Sequence, residues 1–140
     1  MKPDPQDYVS IANLLAEYCL ALDRDEIDHC VGLFTEDARF EVYGRSFDGR
    51  EGIRKMMSSA PGGLHLGGPP LIEAVSGDTA QVKQNLLFID RSTGMSRRTL
   101  YTDLLVRSGD SWRIRRRRCE FITASGIQER PDGGGEQPRD

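Results

Sequence analysis

The sequence predicts an α+β fold: a cone-shaped, curved antiparallel sheet wrapped around N-terminal helices. Three observations lead there. Tyr8, Ile11, Leu15, Tyr18 and Leu22 recur at steps of three and four, which gives one helix a continuous apolar face to bury. From Leu71 to Thr123, strand-like runs are joined by the short turns Ser76-Gly77-Asp78 and Ser108-Gly109-Asp110, the pattern of an antiparallel meander. The helices stand at the N-terminal side of that meander, which must curl over the first of them to cover its apolar face.

The first helix, Tyr8 to Asp23, is announced by Asp4 as N-cap, Pro5 at the first helical position and Asp7 three residues after the cap. Asp25 is placed to cap a second, short helix through Ile27, Cys30, Val31 and Phe34. Ala38 to Tyr43 reads as a strand with Phe40 and Val42 on one face and Arg39, Glu41 and Tyr43 on the other. Gly44-Arg45 turns it back through Ser46-Phe47, and a third helix, Arg50 to Ser58, buries Ile53, Met56 and Met57. Pro61-Gly62-Gly63 ends that helix, and Leu64-His65-Leu66 follows, bounded by Gly67-Gly68-Pro69-Pro70. A histidine between such breakers suits the mouth of a sheet better than its core. The remaining strands are Leu71 to Val75, Ala80 to Asp90, Arg97 to Arg107 and Trp112 to Thr123.

A chain of 140 residues suits one domain, expected over residues 1–125. Residues 126–140, GIQERPDGGGEQPRD, offer almost nothing to bury and read as a disordered tail. The composition, 37% hydrophobic and 29% charged, is that of a globular protein, and a net charge of -3 argues against a nucleic-acid partner. No apolar run approaches a membrane span and the N-terminus lacks a signal-peptide pattern, so a cytoplasmic protein without a membrane partner is expected. Cys19, Cys30 and Cys119 are odd in number and show no CxxC spacing, the mark of buried free thiols.

In combination, Tyr18 with Ala21-Leu22-Asp23, Leu33 to Ala38 (LFTEDA), Gly49 to Ile53 (GREGI), His65 before a Gly-Gly pair, and Tyr101-Thr102-Asp103 through Trp112-Arg113-Ile114 resemble the SnoaL-like group of the nuclear-transport-factor-two-like superfamily. The resemblance covers about Tyr8 to Phe121 and implies a cone-shaped α+β barrel. Within the group it is nearest the lyases: scytalone dehydratase, bile-acid dehydratase and hexachlorocyclohexane dehydrochlorinase. In these an aspartate ending the first helix pairs with a histidine after the third, positions matched by Asp23 and His65. Tyr18 matches a first-helix tyrosine of some dehydratases, and Arg107 falls near an arginine of the dehydrochlorinase. The second histidine of scytalone dehydratase has no counterpart, Asp90 lying near its place. Val42 stands where that enzyme has a strand tyrosine and ketosteroid isomerases an aspartate base, which disfavours the usual isomerase chemistry.

Eliminating water or halide needs a base for a carbon-bound proton and help for the leaving group. A neutral imidazole is the usual base near neutral pH, and a carboxylate on its other nitrogen fixes the tautomer and stabilises the imidazolium. Asp23 and His65 supply those groups, and Tyr18 can donate to a carbonyl or hydroxyl. Asp90 or Asp103 can orient His65 or a substrate hydroxyl, while Arg107, Arg116 or Arg118 can offset oxyanion charge. Phe40, Val42 and Phe88 are expected as apolar pocket walls. Each polar residue also has a plainer role: Asp23 as a cap, Tyr18 as a core tyrosine, Asp90 as a strand-end turn residue.

The arginines from Arg113 to Arg118 must send cations to both sheet faces. With Trp112 and Ile114 inward, Arg116 and Arg118 enter the cone and Arg113, Arg115 and Arg117 face outward, unless a β-bulge swaps them. An inward arginine needs a partner such as Glu120, Asp103 or an anionic substrate. The leading expectation is therefore a cofactor-independent and metal-independent dehydratase acting on a mid-sized hydrophobic hydroxylated molecule: a polyketide, steroid or aromatic metabolite. The alternatives are an isomerase or cyclase with the same base, and a non-catalytic ligand-binding or assembly subunit. The resemblance implies a homodimer or homotrimer.

Overall fold

A computed structural model describes residues 3–132. Helices α1 (Pro5–Asp23) and α2 (Ile27–Val31) precede β1 (Phe34–Val42), β2 (Arg45–Asp48) and α3 (Gly49–Ser59). Strands β3 (Gly63–Gly67), β4 (Leu71–Ser76), β5 (Thr79–Asp90), β6 (Ser96–Ser108), β7 (Ser111–Thr123) and β8 (Gly126–Gln128) complete the chain. They form one curved, unclosed sheet in the order β2-β1-β7-β6-β5-β3, with β4 also on β5 and β8 also on β7.

The α+β architecture is the expected one, with one correction. β5, β6 and β7 form the antiparallel meander, but β1 runs parallel to β7, so the sheet is mixed. Nothing local encodes that pair: it joins residues 77 positions apart in sequence, as Arg39↔Arg116 and Glu41↔Arg118 show. β1 also starts earlier than expected, at Phe34, whose fully buried ring belongs to the strand rather than to α2.

α1 begins as its sequence dictates. The Asp4 carboxylate accepts the Asp7 amide at 2.8 Å, and Pro5 occupies the first turn. Its buried face is Ile11, Leu14, Leu15, Tyr18 and Ala21, each contributing through burial, about 1.5–3 kcal/mol for a fully buried large side chain. Tyr8, at the edge of that stripe, is 41% exposed. Asp25 does not cap α2: its φ is +59°, a left-handed turn that drops the chain from one helix to the next. The β1–β2 hairpin turns on Tyr43 and Gly44, both left-handed at +57° and +69°, the requirement of a type I′ turn.

The meander carries the feature that decides which arginine is inside. Leu104 pairs with Arg116 but Leu105 pairs with Ile114, so Arg115 is an extra residue, a β-bulge in β7. Trp112 and Ile114 face inward before it; Arg117, Cys119 and Phe121 face inward after it. Arg116 and Arg118 therefore do not enter the cone. They lie on the outer face, on Glu41 (3.0 Å) and Glu120 (3.6 Å) respectively. The last expected boundary shifts too: Gly126–Gln128 pairs with Phe121–Thr123 as β8, and the remainder of the expected tail from 133 onward lies outside the described residues.

Candidate active site

The site is built where α1 ends against the edge strand β3. Gly63 lets β3 lie tight on β5, since a Cβ there would stand 2.1 Å from the Ile89 carbonyl oxygen. Gly67 does the same at the other end, where a Cβ would meet Gln84 at 2.7 Å. Held between them, His65 pairs with Phe88 of β5 and sets its ring against that of Phe88, tilted by 50° with the centroids 4.9 Å apart. The Asp23 carboxylate, projecting from the last residue of α1, receives two hydrogen bonds from this one residue. His65 N–H donates to Oδ1 at 2.8 Å, and Nδ1 lies 2.9 Å from the same oxygen. The backbone bond fixes the strand; the ring bond fixes the tautomer, leaving Nε2 for the cavity that His65 lines.

Burial holds the His65 pKa below the ordinary histidine value, against the opposing pull of Asp23. The imidazole is thus neutral and basic at Nε2 near pH 7.

The cavity has a volume of about 670 Å³, within the range of small-molecule sites. Phe40, Val42 and Phe88 line it, as do Leu86, Phe121 and Met56. Tyr18 lines it as well, its hydroxyl 3.4 Å from that of Tyr101, a residue of the motifs that carry the resemblance, with no role in the site assigned to it from sequence. Both tyrosines are buried in the cone, and desolvation keeps both phenols protonated, able to donate.

Behind them lies the inward arginine. Arg117 is fully buried and grips Asp103 through Nε–Oδ1 at 2.8 Å and Nη2–Oδ2 at 2.7 Å. Its guanidinium carbon stands 4.3 Å from the Tyr18 ring centre and 4.2 Å from that of Tyr101. Burial opposes the charge, but Asp103 outweighs it and keeps the guanidinium protonated. Nη1 makes no hydrogen bond to any described residue; the tyrosine faces supply its electrostatic compensation. Asp103 is therefore the partner of Arg117, not a ligand contact.

Two other expected ligand contacts lie elsewhere. Asp90 caps the loop after β5, accepting from the Ser92 hydroxyl and amide and the Thr93 amide, which holds its carboxyl below the usual range. Arg107 sits beneath Trp112, near the start of α1, bound to Asp7 at 2.8 Å. Tyr43, assigned outward by strand alternation, instead lines the cavity against Phe121, because its left-handed turn conformation breaks the alternation; burial raises its phenol to about 12. The three cysteines are free and buried as expected, with Cys119 at the cavity wall. Among the described residues no cluster of His, Cys, Asp or Glu suits a metal ion, and no helix is long and apolar enough to cross a membrane.

Comparison with known proteins agrees with this architecture. No curated protein matches the sequence. Among solved structures, a Mycobacterium tuberculosis protein of unknown function is 28% identical, with a TM-score of 0.74, over 81% of this chain and 70% of that one. A Nostoc punctiforme protein of unknown function with a cystatin-like fold superposes with a TM-score of 0.77 at 19% identity, over 86% and 95% of the two chains. A protein provisionally described as a scytalone dehydratase, from Novosphingobium aromaticivorans, gives a TM-score of 0.74 at 22% identity, over 89% and 91%. The last two likenesses are of fold. The SnoaL-like domain matches residues 4–118, from the cap of α1 to the arginine strand, and the chain belongs to that family.

Proposed function

We propose that the protein is a cofactor-independent lyase, a dehydratase of a mid-sized, largely apolar hydroxylated molecule. The observation that carries this is the Asp23–His65 pair, with Nδ1 engaged and the ring lining an open cavity beside the Tyr18–Tyr101 hydroxyls. His65 Nε2 removes a proton from a substrate carbon, and Asp23 stabilises the imidazolium that forms. The electron pair left on carbon becomes the new double bond as the neighbouring C–O bond breaks. The departing hydroxyl takes the proton back from the imidazolium and leaves as water. A carbonyl next to the reacting carbon would accept from the Tyr18–Tyr101 pair, whose rings rest on the Arg117 cation; that charge favours the build-up of negative charge at the phenols.

The open cavity also favours an enzyme over an assembly subunit, whose pocket can be filled by its own side chains. The test is mass spectrometry of products from a panel of hydroxylated polyketides, steroids and aromatic ketones. A product lighter by one water, absent with His65→Gln, supports the lyase. A product of unchanged mass, formed with the same dependence on His65, makes the protein an isomerase or cyclase instead.

A further inference from the structure

Three tyrosines line the cavity, and the chemistry above uses only two of them. Tyr18 and Tyr101 share a hydrogen bond deep in the cone, whereas the Tyr43 hydroxyl has no hydrogen-bond partner among the described residues. Tyr43 reaches the cavity from the tip of the β1–β2 hairpin. The strand registers set it apart from the other two. Tyr101 pairs with Cys119, while the ring of Tyr43 meets Phe121, two residues further along β7, a rise of about 7 Å. His65 on β3 and Tyr43 after β1 belong to opposite flanks of the curved sheet, with β5, β6 and β7 between them. Each faces the same cavity from its own side.

The backbone at Tyr43 accounts for that placement. Its φ of +57° lies in the left-handed region, which is costly for a bulky residue, and the first position of a type I′ turn ordinarily holds Asn, Asp or Gly. An extended residue here would send its side chain to the outer face, as Glu41 does two positions earlier. The left-handed turn swings the ring inward instead and sets it on Phe121, with centroids 5.2 Å apart. A strained dihedral thus delivers a phenol to the cavity wall. Burial raises that phenol to about 12, so near neutral pH it keeps its proton and can donate.

We propose that Tyr43 is a specificity-determining residue: its hydroxyl donates to a second oxygen of the substrate, a carbonyl, ether or hydroxyl remote from the reacting carbon. This rests on the cavity being the substrate site proposed above. It narrows the substrate to an apolar body with two separated oxygen functions. One lies beside the reacting carbon, at the Tyr18–Tyr101 pair, and the other lies toward the hairpin tip. The Phe121 ring, between Tyr43 and the Cys119 level, supplies the apolar surface for the body that joins them.

Probes that share one aromatic body and differ by one oxygen test this by titration calorimetry. Methyl naphthyl ketone supplies the body and a single carbonyl. Its methoxy derivatives add an ether oxygen, placed in turn at each position of the far ring. At least one derivative should bind about three- to tenfold tighter than the parent, the worth of one neutral hydrogen bond. Tyr43→Phe keeps the ring on Phe121 and loses only the hydroxyl. In that variant the favoured derivative should fall to the affinity of the parent, with the parent itself and the thermal midpoint unchanged. Tyr18→Phe should weaken parent and derivative by the same factor and so preserve the preference. The inference is overturned if no derivative is preferred, if the preference survives in Tyr43→Phe, or if that variant weakens parent and derivative alike. None of these results touches the lyase reading, which stands or falls with turnover in His65→Gln.

Discussion

The two ends of α1 solve the same problem with different nitrogen donors. At its start Asp7, nearly buried, is held by Arg107 at 2.8 Å, and that guanidinium lies under the Trp112 ring. At its end Asp23 is held by His65 at 2.9 Å. Both are carboxylates of one helix pinned to the sheet. The difference is that a guanidinium never gives up its proton, whereas an imidazole does so near neutral pH. The Asp7 end can only fasten; the Asp23 end can fasten and also exchange a proton with whatever occupies the cavity. Position reinforces this: His65 lines the cavity and Arg107 does not.

That contrast can be broken most directly at the working end. Asp23→Asn keeps an oxygen for the His65 backbone amide but removes the charge that stabilises the imidazolium. Turnover should fall about 10²- to 10⁴-fold while the thermal midpoint moves little. A comparable energy, spent on stability instead, is expected midway along the cone. Asp103→Asn strands the fully buried Arg117 charge and should cost about 3–5 kcal/mol in denaturant unfolding. Asp7→Asn should cost about 1–3 kcal/mol and leave kcat unchanged, the signature of a fastener. If it lowers kcat as much as Asp23→Asn does, the division of labour between the two ends is wrong.

The smallest effect sharpens the comparison through pH. Burial puts the folded-state His65 pKa below the value of about 6.5 expected in the unfolded chain. Between those two values the unfolded state binds more protons, so stability rises with pH through that window. The contribution is complete above about 6.5 and is lost as pH falls toward the folded pKa. A proton-NMR titration should place the His65 midpoint below the ordinary histidine value. In Asp23→Asn the His65 midpoint should fall further, because the group that favours its charge is gone. An unchanged midpoint would uncouple the pair.

Much of this was legible in the sequence because it is local. The steps of three and four in α1, its Asp4-Pro5 start and the glycines around His65 each dictate structure within a few residues. Asp23 and His65 could be paired only through the resemblance, since 42 positions separate them and spacing alone says nothing about their contact. What was illegible is what depends on long-range register. The parallel β1–β7 pair and the Arg115 bulge arise from how distant strands settle on one another, so the alternation rule delivered Arg116 and Arg118 inward when Arg117 is the buried one. Tyr43 was misplaced for a related reason, a backbone dihedral that its own side chain does not advertise.

The bulge has a consequence for how the chain finds its structure. Five of the six residues from Arg113 to Arg118 are arginine, so a β7 that zips onto β6 without the bulge still offers Asp103 a guanidinium, from Arg116 or Arg118 in place of Arg117. The ion pair is therefore a poor proofreader of its own register. Discrimination falls to the residues beyond it, because the slipped strand would turn Cys119 and Phe121 out to solvent and Glu120 into the core. The few apolar side chains at the end of β7, braced by β8, arbitrate between two pairings that the arginines alone do not tell apart.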